Sequence, residues 1–416
     1  MGRMVTWKRR LRRFQADAAA KTGYESFRAQ AFEACNPIAG ETYLWRRDWL
    51  DAVGQSAERD PRRRRARDHV VTAAHAALAG PDYSVTDKPR APPGGDLRDY
   101  YTGGSYWWPT PGGEDGKPWT FRDGHMYPGR FTADYDLTRL DDFSNAVQML
   151  TLGYRFSGNR ALAERAAHLI RVWFLDPQRS MRPHLRYAQL IPGRDRITGT
   201  GIIETLRFVA VIDSIGLLAP AGFVSHEELA ALRGWFAQFV DWLWTSPNGT
   251  LERATNNNHG LSYDIQVMTY DLFSGGGARA RTVAEAAPRK RIYAQILGDA
   301  SLPEEVRRKE AFFYVAYGIG FFFDLATLAE RVGVDLWRYR ARGGSGIEPA
   351  LRSLMRYAAG AATWPHGGDR VPAPELYALA LRGAWAFDDP KLAAIAEYYQ
   401  DRQPLQPIDW TIPNYS

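Results

Sequence analysis

Three asparagines and a histidine stand together at Asn256 to His259, inside the stretch ATNNNHGLSY. None is a good helix former or a natural core residue, yet an apolar helical segment, LSYDIQVMTYDLF, follows at once. One asparagine can cap that helix. The rest of the run has a different use: a carboxamide donor and an imidazole with a pKa near about 6.5 can bind an acid group and move a proton. Asn258 and His259 are therefore catalytic candidates. No second His or Cys stands nearby at ligand spacing, so a metal site is not expected.

A second set lies at the entrance of the apolar stretch AFFYVAYGIGFFFDLATLAE, where Arg307, Arg308 and Tyr314 place cations and a phenol together. This is either a core helix with a snorkelling basic end or a charged edge of a cleft. In LRYAQLIPGRDRITGTG, Tyr187 and Gln189 precede a glycine-rich loop that lacks the preceding strand and the Lys-Ser/Thr of a phosphate cradle. Gln189 is then a donor to a sugar hydroxyl or carboxylate, or a loop tie. The polar stretch from Pro81 to Arg139 is too long for a plain connector, and it presents Tyr106, Trp107, Trp108 and Trp119 among prolines and glycines. Flat rings on a stiff backbone suit stacking on a sugar or simple packing. Asp123 in RDG reads first as a turn residue. Asp123, Asp264 and Glu204 are the carboxylates on offer for a two-carboxylate hydrolase, but no pair stands out.

The elements that must hold these groups are helical. Apolar residues recur at helical spacing over 43–53, 69–78, 140–155, 162–174, 202–218, 226–243, 279–297, 312–328, 347–357 and 375–386, with stops at Gly158 and Gly216. Helices of this length with short connections form antiparallel hairpins, and without a fixed sequence period a closed all-α toroid is favoured over a solenoid. The composition, 45% hydrophobic and 24% charged, is that of a well-cored globular chain. No apolar run near the roughly 20 residues of a membrane span is evident. Lys+Arg exceeds Asp+Glu by 53 to 47, which tilts the chain towards an anionic partner. The basic runs Lys8 to Arg13 and Pro61 to Arg67 read as solvated helix faces rather than a nucleic-acid site. Cys35 is the single cysteine, so no internal disulfide or cysteine metal cluster can form. The first twenty residues are basic but lack the apolar core of an export signal, which points inside the cell for the chain as it stands.

Five blocks in order, SYWWPTP, YAQLIPG, TGIIETLRFVAVIDSIGLL, NNHGLSYDIQ and ERVGVDLWRY, resemble the alginate lyase superfamily of polysaccharide lyases. The resemblance runs from about Ser84 to about Tyr357. It implies an (α/α) toroid with a long cleft, eliminative cleavage of an acidic polysaccharide, no metal or organic cofactor, and a periplasmic or secreted setting. It places the family's Asn-His pair on Asn258 and His259, its catalytic tyrosine on Tyr314, and its arginine on Arg308 with Arg307 as the alternative. Gln189, Tyr187, Tyr106, Trp107, Trp108, Arg307 and Tyr263 are the residues expected at the substrate. Residues 1–80 are expected to complete the toroid, 81–400 to form the catalytic domain and 401–416 a tail. Ser262, Val315, Lys309 and Arg98 depart from the family pattern at positions expected near the cleft. Two rivals stand beside the lyase reading: a polyanion-binding protein that has lost the chemistry, and a glycoside hydrolase.

Overall fold

A computed structural model describes residues 41–122, 124–194, 197–366 and 371–415. Fifteen helices of α type occur among these residues: α1 (Arg47–Ser56), α2 (Pro61–Leu78), α3 (Leu137–Ser157), α4 (Arg160–Phe174), α5 (Phe208–Leu218), α6 (His226–Thr245), α7 (Pro247–Arg253), α8 (Asn258–Phe273), α9 (Ala278–Ala287), α10 (Pro303–Val306), α11 (Ala311–Glu330), α12 (Ile347–Ala358), α13 (Ala373–Phe387), α14 (Pro390–Gln400) and α15 (Ile408–Thr411). Their starts follow local chemistry. Asp60, Asn159 and Asp389 accept backbone N–H groups at the starts of α2, α4 and α14, and Ser225 with Glu228 forms a reciprocal capping box on α6. Gly158 closes α3 in the left-handed conformation, as its position predicts. Gly216 does not stop a helix. It lies inside α5, where a side chain would strike the backbone of Glu41.

Neighbouring helices pack as hairpins, α2 on α3, α3 on α4 and α13 on α14, and the whole is an (α/α) toroid. Helix α8 runs through its middle: every residue of it except His259 and Leu272 is buried, so it shows no polar face. Helix α11 is long and apolar enough to cross a membrane by length and composition, contrary to the expectation above. It is a core helix here, with Phe322 and Phe323 fully buried and Asp324 paired with Arg382 at 2.6 Å.

The C-terminal segment is no tail. Asp409 accepts both Nε and Nη2 of Arg62 at 2.9 Å, and Arg63, 1% exposed, donates to the Asp409 carbonyl and to Asn414. Arg62 and Arg63 of the basic run thus supply internal struts, while Arg64 and Arg65 are exposed as a solvated face would have them. The Lys8 run and Cys35 lie outside the described residues.

Two expected helices are interrupted. Thr200–Arg207 winds as a 3₁₀ segment before α5, and Pro288–Tyr293 forms a π-helical turn after α9, where Pro288 supplies no N–H to an α ladder. The long loop carries small sheets that helical periodicity cannot signal. Strand β1 (Tyr101–Gly103) pairs in parallel with β4 (Tyr187–Leu190), and β2 (Trp107–Trp108) pairs antiparallel with β3 (Thr120–Phe121).

Candidate active site

The site begins at the junction of α7 and α8. Asn257 is the helix cap, its side chain accepting the His259 N–H at 3.0 Å. Capping therefore uses one asparagine and leaves the next two residues for other work. Asn258, 3% exposed, donates its backbone N–H to Glu305 Oε1 at 2.9 Å, and its carboxamide nitrogen lies 3.1 Å from both oxygens of the same carboxylate. A Cβ at Gly260 would meet the Thr255 carbonyl and the Arg291 guanidinium, so the pair must be followed by a residue without a side chain. Arg291, fully buried, grips Asp264 through two bonds of 2.7 and 3.0 Å and donates to the carbonyls of Arg253 and Thr255, which braces the turn before α8.

His259 Nδ1 lies 2.6 Å from Glu252 Oε1, and that carboxylate is 1% exposed. Burial disfavours a charged imidazole, but the charge of Glu252, its hydrogen bond and the charge of Glu305 outweigh burial and the opposing Arg308. The net effect is a histidine pKa above its ordinary value, which favours the imidazolium. With Nδ1 committed to Glu252, Nε2 is the nitrogen left to face a substrate. Burial raises the Glu305 carboxyl, against the hydrogen bonds from Asn258 and the charges of Arg308 and His259.

Tyr314 stands in the first turn of α11. Arg308 Nη2 donates to its Oη at 3.0 Å, with the guanidinium carbon 3.9 Å from the ring centre. The Tyr106 hydroxyl, from the long loop, lies 3.2 Å from the same Oη. Helices α8 and α11 pack side by side, and the first N–H of α8 meets the Glu305 carboxylate, which stands six residues before the start of α11. Among the described residues, no group of three or more His, Cys, Asp or Glu is placed to hold a metal. A cavity of about 270 Å³ between Trp45, Trp49, Trp337 and Trp385 shares no lining residue with this constellation.

The alginate lyase family profile matches residues 84–364, about two thirds of the sequence. The chain belongs to the alginate lyase family. Among solved structures, an alginate lyase from Bacteroides ovatus is 30% identical, with a TM-score of 0.83 over 90% of this chain and 99% of that one. Alginate lyase A1-III, solved as a variant complexed with a tetrasaccharide, is 15% identical with a TM-score of 0.52 over 82% of this chain and 88% of that one, a likeness of fold. A search of curated proteins returned no match. Family and structural likeness together make the protein a polysaccharide lyase.

In this lyase the structure brings Asn258, His259, Arg308, Tyr314 and Tyr106 together and sets other expected residues apart. Tyr263 is fully buried and donates to the Leu243 carbonyl at 2.9 Å, so it is a core residue and not a substrate contact. Arg307 is 71% exposed and paired with Glu304, which leaves Arg308 as the arginine at the tyrosine. Tyr187 spends its hydroxyl on the Gly94 carbonyl at 2.9 Å. Gln189 is buried with φ +50° and hydrogen-bonds to Glu204 through its side chain, so it is tied into the loop. Trp107 and Trp108 each carry an arginine over one face, Arg194 at 4.6 Å and Arg122 at 5.0 Å.

The departures from the family pattern are mostly remote from chemistry. Ser262 and Val315 are core residues, and Arg98 ties down Ser180. Lys309 alone is exposed, beside the loop at Gly124. The hydrolase carboxylates are also engaged: Glu204 is buried against Arg130, Tyr100 and Thr102, and Asp264 against Arg291. Asp123 lies outside the described residues. Glu252 and Glu305 were missed by sequence reasoning. A glutamate seven residues before the histidine carries no motif, and only the fold shows that it faces the ring.

Proposed function

We propose that this lyase cleaves a uronic-acid polymer of the alginate kind by β-elimination, leaving an unsaturated uronate at the new non-reducing end. The single observation that carries the reading is the Tyr314 hydroxyl oxygen held between the Arg308 guanidinium and the Tyr106 hydroxyl, with the same Arg308 acting on a histidine biased towards its charged form. Elimination requires removal of the C5 proton beside a carboxylate, whose charge resists the developing carbanion. The His259 imidazolium, a carboxamide N–H of Asn258 and Arg308 would neutralise that carboxylate as the enolate forms. In this scheme Tyr314 reacts as its phenolate, with Arg308 donating to its oxygen, and would accept the C5 proton. The C5–H electrons then form the C4–C5 double bond, the C4–O4 bond breaks, and the new phenol proton passes to O4, which restores the phenolate.

His259 was the rival base. Its link to Glu252 favours a proton already in place, and this supports the charge-neutralising role over proton abstraction. The tetrasaccharide bound to the more distant A1-III lyase is consistent with an oligosaccharide or polysaccharide substrate. Binding without turnover loses much of its motive, because Ser262 and Val315 sit in the core. The test is the ultraviolet absorbance of the unsaturated product on alginate, glucuronan, hyaluronan and chondroitin, with Tyr314→Phe alongside. A rise on one polymer that the variant lowers roughly a hundredfold or more supports the assignment. Full turnover by Tyr314→Phe sinks it.

A further inference from the structure

Many surface arginines of this protein face a carboxylate: Arg171 meets Glu228, Arg207 meets Asp141, and Arg352 meets Glu348 and Asp389. Arg122 and Arg194, both exposed, have no carboxylate partner among the described residues. Each has its guanidinium over a tryptophan ring of the β2–β3 hairpin, Arg194 at 4.6 Å from the Trp107 centre and Arg122 at 5.0 Å from the Trp108 centre. Arg194 donates Nε to the Trp119 carbonyl at 3.1 Å, and Gly193, at φ +74°, makes the turn that brings it against Pro118. Trp108, beneath Arg122, is fixed by its own bond to the His125 carbonyl at 2.8 Å.

The Trp107 stack is joined to the catalytic group through rings in contact, and the Trp108 stack stands on the next residue of the same strand. Trp107 meets Phe121 at 5.4 Å, Phe121 meets Tyr106 at 6.3 Å, and Tyr106 touches Tyr314. A guanidinium on a ring keeps its in-plane N–H groups for a planar carboxylate and has already lost much of its freedom. We propose that Arg194 on Trp107 and Arg122 on Trp108 are carboxylate-reading subsites that bind uronate units away from the bond being cut. The tryptophans serve as platforms for cations, where sequence alone suggested platforms for sugars. The inference rests on the uronate-lyase reading above, and it adds that the hairpin selects polymer by charge.

The experiment compares the full-length protein with Arg194→Gln, Arg122→Gln and the double variant, with Arg171→Gln as control. Size-fractionated alginate oligosaccharides are the probe, and both turnover and tryptophan-fluorescence binding are read. Each variant is expected to raise KM and Kd roughly threefold to tenfold on long oligosaccharides, with kcat and short substrates little changed and a shallower loss of affinity with salt. Carboxyl-reduced oligosaccharides are expected to bind the wild type as weakly as they bind the double variant. Equal losses at every length, no loss at all, or strong binding of the reduced sugars overturns the subsites. If no turnover occurs but binding still depends on both arginines, the subsites stand and the lyase assignment falls.

Discussion

Glu252→Gln tests the core of the proposed chemistry, because it removes a charge while keeping the shape and one hydrogen-bond acceptor. In the native protein the carboxylate lies 2.6 Å from His259 Nδ1, and both groups are largely shielded from water. With charge centres about 4 Å apart and an effective dielectric near 20, the attraction on the imidazolium is about 4 kcal/mol. Glutamine keeps a neutral hydrogen bond worth about 1 kcal/mol, and relaxation absorbs part of the rest. A loss of roughly 2 to 3 kcal/mol in the transition state corresponds to about a thirtyfold to 150-fold drop in kcat. The pH dependence has a definite sign. The raised pKa keeps His259 charged to higher pH, so the variant should lose activity at lower pH than the wild type, moving the alkaline limb of the rate profile downwards. The same pair adds stability that is complete below the unfolded histidine value of about 6.5 and fades as pH rises through the higher folded value. The assay is product absorbance across pH, with thermal melting as a folding control. Wild-type kcat with an unmoved alkaline limb would refute the role given to Glu252.

Arg308→Gln should cost roughly a hundredfold to a thousandfold in kcat, whereas Arg307→Gln should stay within about twofold, since only the former touches Tyr314; steady-state rates compare the two. Tyr263→Phe should keep full activity and lose about 1 kcal/mol of stability in a denaturant titration, because it removes one buried hydrogen bond to Leu243. Arg291→Met should destabilise the fold by roughly 3 to 5 kcal/mol, leaving Asp264 buried without its partner, and the companion Asp264→Asn, Arg291→Met double variant should recover part of that loss in the same titration.

Local pattern was enough to place most of the helices, because 3.6-residue periodicity and polar caps are properties of short segments. It also marked the Asn-His pair, whose residue types suit neither a helix interior nor a core. The failures share one cause. Gly216 looked like a stop because a glycine's close-packing use depends on which backbone passes beside it, here that of Glu41. Tyr263 looked like a ligand-facing neighbour of His259 because α8 has no polar face to show which side is inward. Its central position in the toroid decides that His259 and Leu272 alone escape burial.

Sequence by itself determined the chemistry available to this protein: an imidazole and a carboxamide at the start of one apolar helix, a phenol in the first turn of another and a guanidinium just before it, in an order that matches one lyase family. Tertiary structure decided how that chemistry is tuned. Glu252, Glu305 and Arg308 act on their targets through distances of about 3 Å, over which charge and hydrogen bonding are strong, and a linear pattern carries no information on such contacts between separate elements. The same holds for Arg122 and Arg194. Their placement over the two tryptophans, with no carboxylate partner among the described residues, emerges only when the hairpin and the loop at Gly193 are folded against each other.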